Sequence, residues 1–121
     1  MYTYAATVVR VIDGDTAILD VDLGFRTWRR GGSFRVAAIN ARELHAEGGP
    51  EARDHLAALL PVGTVVTLTS VRPDKYGERY DALIALPDGS DLGAQLVRTA
   101  WAAAWTGRGV APLPPWPRPS P

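Results

Sequence analysis

Two carboxylates stand in a turn between segments that favour β-strands. The stretch Ile12–Thr16 (IDGDT) carries Asp13 and Asp15 around a glycine, after a run rich in β-branched residues. Ca²⁺ and Mg²⁺ prefer carboxylate and carbonyl oxygens, so this turn is a candidate cation site. Asp and Gly are also common in turns that bind nothing, and a plain hairpin turn is the alternative.

A second polar constellation follows an apolar strand. In the stretch FRVAAINARE, Arg35 lies inside the strand, and the strand runs out into Asn40 and Glu43. A guanidinium group can hold a phosphate through two parallel contacts, which makes Arg35 a candidate phosphate clamp. Asn40 could supply an oxygen ligand, and Glu43 could orient or deprotonate a water molecule. A surface Arg before a solvated loop explains the same residues.

The third candidate segment is a polar loop, and the fourth has no chemical groups of interest. Asp74-Lys75-Tyr76-Gly77-Glu78-Arg79-Tyr80 surrounds a glycine with cations and a tyrosine. It indicates contacts to phosphate and base, with Arg79 as a second clamp, or else an ordinary polar hairpin loop. The stretch Trp101–Trp105 (WAAAW) is predicted to pack against the rest of the domain and to carry no chemistry.

Composition narrows the classes of protein that fit. The formal net charge is zero, which argues against nucleic-acid binding by bulk charge alone. There is no cysteine, which excludes disulfides and thiolate metal ligands. We expect a soluble, cytoplasmic protein, because no signal peptide or apolar run of roughly 20 residues is present. The Arg- and Ala-rich, Lys-poor composition suits a high-GC bacterium or its phage.

These groups must be positioned by short strands and two helices. Hydrophobic alternation and turn signals predict strands over 3–12, 16–21, 33–39, 64–71 and 80–86. A polar connection covers 23–32, and an irregular loop covers 40–49. A first helix is predicted to begin at Pro50 and to stop before Pro61, and a second to follow Asp91 as its cap.

This order of elements predicts the fold class. Three strands, a helix, two strands and a final helix are typical of an α+β protein built on a five-stranded OB-type barrel. The domain is predicted to span 1–107. Residues 108–121 form a tail whose prolines preclude a regular helix, so we expect it to be extended, with Trp116 holding part of it on the barrel.

Taken in order, these motifs resemble the staphylococcal nuclease (thermonuclease) family. The similarity extends from about Thr7 to Ala103 and includes IDGDT, FR followed by an N-x-x-E loop, DKYG with a nearby Arg, GPEA and LGAQLV. The resemblance implies a Ca²⁺-dependent phosphodiesterase on a five-stranded OB barrel. It also implies cleavage of DNA and RNA that leaves 3′-phosphate ends.

The resemblance assigns roles position by position. The ion ligands would be Asp15, Asn40 and the backbone carbonyl of Ala41, with Asp13 and Thr16 beside them. The catalytic groups would be Arg35, Glu43 and Arg79, and Lys75 and Tyr76 would contact a terminal phosphate of the bound nucleotide.

Several positions depart from the family pattern. The archetype has Asp where this chain has Asn40, and the lost charge should lower Ca²⁺ affinity. Arg42 stands where the archetype has Pro, which alters the loop that aims Glu43. Glu78 is interpreted as a one-residue insertion before Arg79. The Pro-rich tail replaces a third helix.

The resulting hypothesis is a Ca²⁺-dependent endonuclease, with Mg²⁺ and Mn²⁺ as alternative ions, that acts on DNA, RNA or both. We expect no membrane partner and a monomer by default. Two other classes stay open. The chain could be an inactive nucleic-acid-binding OB module, or a structural or interaction component of a larger assembly, such as one encoded by a phage.

Overall fold

The computed structural model describes residues 2–75 and 78–115, in which seven strands and two helices occur. In chain order these are β1 (Thr3–Asp13), β2 (Thr16–Asp22), β3 (Trp28–Val36), β4 (Ile39–Ala41), α1 (Gly49–Leu59), β5 (Val65–Pro73), β6 (Tyr80–Ala85), α2 (Leu92–Arg98) and β7 (Ala102–Ala104). Among the described residues, no helix has the length and apolar character to cross a membrane.

Five of the strands close into a barrel in the order β1-β2-β3-β6-β5. All pairs are antiparallel except β3 with β6, which is parallel. The helix α1 lies between the third and fourth barrel strands along the chain. The chain therefore has an OB-fold-like α+β architecture, and the predicted fold class is confirmed.

The barrel interior is filled by alternate side chains of the strands. In β2, the alternate residues Ala17, Leu19 and Val21 share one face of the strand and are all buried. Leu56 of α1 and Leu96 of α2 close the core and are at most 1% exposed. The other barrel strands also contribute large fully buried side chains, which are Val8, Val36, Val66, Leu68 and Ile84. Alternation of this kind fixes which face of each strand meets the site.

The third strand was predicted with the wrong bounds. It begins at Trp28, inside the stretch taken as a connection, and ends at Val36. Ala38, which lies inside the predicted strand 33–39, is exposed and has a φ of 67°, a left-handed conformation that few residues with a Cβ adopt. This turn ends one strand and starts β4 in a new direction.

Two short strands lie outside the barrel. Asn40 and Ala41, predicted to open an irregular loop, belong to β4, which pairs with β7 in an antiparallel two-stranded sheet. The WAAAW stretch thus contributes a strand as well as packing. Three-residue strands give too little periodicity to be read from sequence, so the pairing partner decides them.

Both helices begin at recognisable signals. The left-handed Gly48 (φ 81°) precedes α1, and Pro50 occupies its first turn. Asp91 caps α2 as predicted, because its carboxylate accepts a hydrogen bond from the Ala94 N–H at 2.8 Å. Ala100 lies beyond the end of α2 and has a φ of 66°.

Candidate active site

The IDGDT turn holds Asp15 in a buried position. Its Oδ1 accepts a hydrogen bond from the Thr16 hydroxyl, and its Oδ2 accepts one from the Ala41 N–H, both at 3.1 Å. Asp13 lies beside it, and the Asp13 Oδ1 accepts the Asp15 backbone N–H at 3.1 Å. The turn therefore fixes the Asp15 carboxylate by local contacts and by β4.

The glycine of this turn is required by close packing. A Cβ atom on Gly14 would lie 2.9 Å from the Cβ atoms of both Ala41 and Ala52. Gly14 is not one of the residues with a positive φ, so its backbone conformation does not require glycine. Its place in the motif is thus explained by the approach of β4 and α1 to the turn, and not by turn geometry.

Arg35 connects the separate parts of the site. Its Nη2 donates to the Ile39 carbonyl at 2.8 Å and lies 3.4 Å from both the Asp15 Oδ2 and the Asn40 Oδ1. The Arg35 guanidinium carbon also lies 5.4 Å from the centre of the Trp105 ring. Only 9% of Arg35 is exposed, and these contacts hold its guanidinium group in one place.

Glu43 lies in the loop after β4 and is exposed. The backbone carbonyl of Glu43 accepts a hydrogen bond from Ala46 N–H at 2.9 Å, which forms a tight turn. A Cβ on Gly49 would overlap the Glu43 carbonyl, so α1 can begin against this loop only with glycine there. Glu43 lines the cavity that also contains Asp15 and Arg35.

A second guanidinium group approaches from the loop between β5 and β6. The Arg79 Nε donates to the Asp74 Oδ2 at 3.0 Å, and Asp74 is only 8% exposed. Asp81 interacts with both residues of this pair. Lys75 is exposed at the edge of the same loop. The predicted phosphate contact Tyr76 lies outside the described residues.

One cavity of about 510 Å³ brings these residues together. It is lined by Asp13, Asp15, Arg35, Asn40, Ala41, Arg42, Glu43, Asp74, Lys75, Arg79, Asp81, Trp105, Thr106, Gly107, Arg108 and Ala111. All the predicted site residues that the structure describes are in this lining, except Thr16, which contacts the cavity through Asp15.

Among the lining residues that were not predicted as site residues, Asp74, Asp81 and Trp105 have the most direct bearing on the charges of the site. Asp74 was seen only as a loop residue, and Asp81 only as part of a strand. An Asp inside the apolar strand YDALIA was the available signal, because it alternates with the buried Ala82 and Ile84. Trp105 was given no chemical role, yet it lies against Arg35.

The electrostatics of the site reflect crowded carboxylates. Burial, followed by the nearby charge of Asp13, raises the pKa of Asp15 to about 6, although Arg35 opposes the shift. Burial and the neighbouring Asp74 also raise the pKa of Asp81. A carboxylate that is costly to ionise alone is one that a bound cation would stabilise.

The donor atoms around Asp15 suit a hard cation. They are carboxylate and carboxamide oxygens, from Asp13, Asp15 and Asn40, which is the donor type that Ca²⁺ and Mg²⁺ take. Within 2–75 and 78–115 no three acidic, His or Cys side chains are grouped closely enough to hold a metal by themselves. A cation here would therefore take its other ligands from water, backbone or substrate oxygens.

Neither histidine belongs to this cavity. His45 is exposed in the loop before α1 and does not line the cavity. His55 stacks on Trp101, with ring centres 4.6 Å apart. A separate cavity of about 420 Å³ is lined by aromatic and aliphatic residues together with Arg29 and holds no carboxylate. The larger charged cavity is thus the candidate active site.

A comparison with protein-family models and with curated proteins finds no match to this chain.

Proposed function

We propose that this chain is a metal-dependent nuclease of the staphylococcal nuclease type, which hydrolyses phosphodiester bonds of DNA, RNA or both. The observation that carries the proposal is the meeting of Arg35 with two oxygen donors. One nitrogen lies 3.4 Å from both the Asp15 carboxylate and the Asn40 carboxamide. An anchored cation beside hard oxygen donors is what a phosphate and its metal ion would need.

The two arginines would neutralise the phosphate. Arg35 is held by the Ile39 carbonyl, so it is oriented before substrate binds. Arg79 donates to Asp74 through its Nε, and this hydrogen bond does not involve its terminal Nη atoms. Donors held ready for the charge that develops in a transition state are worth roughly 10²–10³ in rate each.

Glu43 would handle the attacking water. Its exposed carboxylate lines the same cavity as both arginines, so a water beside the phosphate could lose its proton to it. Such general-base assistance contributes typically about 10²–10⁴-fold. A Ca²⁺ ion held by Asp15, Asn40 and Ala41, or Mg²⁺ or Mn²⁺ in its place, supplies Lewis-acid polarisation of a phosphate oxygen when bound.

The decisive experiment measures cleavage of single-stranded DNA and RNA with Ca²⁺, Mg²⁺, Mn²⁺ and EDTA. We expect ion-dependent cleavage that falls about 10²–10⁴-fold in Glu43→Gln. The matched control is Glu47→Gln, because Glu47 is exposed in the same loop but does not line the cavity. It should cleave like wild type.

Each outcome decides one part of the proposal. Cleavage that survives chelation overturns the metal, and full activity in Glu43→Gln overturns the role of that residue. Binding of single-stranded DNA without cleavage in any ion would favour the alternative of a binding module. The observation that favours this alternative is the neutral Asn40 among the candidate ion ligands, because a neutral ligand binds a cation less tightly than a carboxylate.

A further inference from the structure

The segment 105–115 lies along the candidate active site. Trp105, Thr106, Gly107, Arg108 and Ala111 line the charged cavity. Pro114, further along, is fully buried, although its neighbours Leu113 and Pro115 are exposed. A buried ring between two exposed residues shows that the segment is seated at a defined place.

Two carbonyl groups of this segment bind side chains of the site. The Asn40 Nδ2 donates to the Pro112 carbonyl at 3.0 Å, and the Arg42 Nη2 donates to the Pro114 carbonyl at 2.8 Å. The two donors flank Ala41, whose N–H holds Asp15. The tail therefore contacts the chain on both sides of the residue that fixes the ion-site carboxylate.

The contact to Pro112 sets the orientation of the Asn40 carboxamide. An Asn side chain has one donor end and one acceptor end. Because the donor end is used by Pro112, the oxygen is turned toward Arg35 and the site of Asp15. An ionised Asp in this position has no donor, so one of its oxygens would face the carbonyl oxygen of Pro112.

We propose that the Pro112 and Pro114 carbonyls complete the candidate ion site by positioning Asn40 and Arg42. The identity of residue 40 as Asn follows from this contact. The inference rests on the proposed function for the nature of the ion. The two hydrogen bonds connect three positions that depart from the nuclease pattern. Asn40 and Arg42 are the donors, and the Pro-rich tail supplies the acceptors.

The test is a double-mutant cycle in the full chain between residue 40 and Pro114, the buried residue of the segment 105–115. Asn40→Asp is combined with Pro114→Gly, which removes the buried ring. Pro115→Gly is the matched control, because it makes the same chemical change at the exposed neighbour. Ca²⁺ binding is measured by calorimetry, and unfolding is measured separately in EDTA.

We expect Asn40→Asp to bind Ca²⁺ no better than wild type while the tail is seated. With Pro114→Gly, the added carboxylate should tighten Ca²⁺ binding, as ligand charge normally does. The ratio of Asp to Asn affinities should thus rise about tenfold, and Pro115→Gly should leave that ratio unchanged. Arg42→Ala, which removes the Pro114 contact from the other side, should raise the ratio in the same direction.

A ratio that is the same in all backgrounds, in a protein that binds Ca²⁺ and cleaves, overturns the positioning role and leaves the nuclease intact. Absence of ion binding and cleavage in wild type overturns the proposed function instead. In that case the unfolding data still decide the contact. Non-additive stabilities of Asn40→Asp and Pro114→Gly support it, and additive ones reject it.

Discussion

Two pairs of carboxyl groups line the same cavity as Arg35, and they are built in different ways. Asp13 and Asp15 sit on one turn, and both oxygens of Asp15 accept hydrogen bonds from Thr16 and Ala41. Asp74 and Asp81 come from the end of one strand region and the start of the next. The Asp81 Oδ1 is buried and has no hydrogen-bond partner within the described residues.

Aspartate side chains have different roles in these two surroundings. In both pairs burial raises the pKa of one member, and Arg35 opposes the rise. In the first pair, Arg35 and the backbone N–H of Ala41 favour the charged form of Asp15 against its burial, and a bound cation would act in the same direction. In the second pair, the neighbouring Asp74 adds to the burial that raises the pKa of Asp81, and Arg79 donates a hydrogen bond to the Asp74 Oδ2.

The largest difference between the pairs should be in catalysis. Asp15→Asn should lower kcat/KM for single-stranded DNA by roughly 10²–10³ and weaken Ca²⁺ binding, because it removes a charged oxygen beside the ion. Asp81→Asn, which keeps the size and removes only the charge, should cost about tenfold, the lower end of the range for groups that act on a metal site through a neighbour. An equal or larger loss in Asp81→Asn would reverse the comparison.

The pH dependence of stability should separate the pairs next. Asp15 binds its proton more tightly when folded, with a pKa of about 6, than its ordinary value of 3.8. The stability gained from that proton is present in full below about pH 4 and is lost as pH rises through 6. This loss is on the order of 3 kcal/mol.

Chemical unfolding in EDTA between pH 4 and 8 measures this effect. Asp15→Asn should flatten the decline, since residue 15 then no longer titrates. Asp81→Asn should reduce the decline by a smaller amount, because Asp81 is only partly buried. If the stability of wild type relative to Asp15→Asn does not fall between pH 4 and 8, the assignment to Asp15 is wrong.

The smallest expected effect is the loss of stability on breaking the ion pair between Arg79 and Asp74. Arg79→Ala leaves the buried Asp74 without this partner and should cost about 1–2 kcal/mol. That is below the 3–5 kcal/mol of a fully buried pair, because a third of the Arg79 side chain is exposed. Arg30→Ala is the control, since the Arg30 side chain is 65% exposed in its pair with Asp20.

Unfolding by denaturant measures both losses. The cost of Arg79→Ala should shrink in an Asp74→Asn background, where no buried charge is left behind. If Arg79→Ala is as mild as Arg30→Ala, then the contact with Asp74 does not hold the loop, and the two regions differ less than the geometry indicates.

Much of the fold could be predicted because its signals are local. The alternation of Ala17, Leu19 and Val21 identified a strand and its inward face, and Asp91 identified the start of a helix. The end of β3 could not be predicted in this way. Alternation continues on paper to Ala38, but the chain turns there into a left-handed conformation so that β4 can meet β7.

The sequence alone determined the residue types of the site and the order of the elements that carry them, because turns, caps and alternation depend on close neighbours in the chain. Tertiary structure decided which of these residues meet. Asp81 faces Arg35 through the parallel register of β3 and β6, and Asn40 reaches Pro112 across 72 positions. Such contacts follow from barrel closure, which no local pattern encodes.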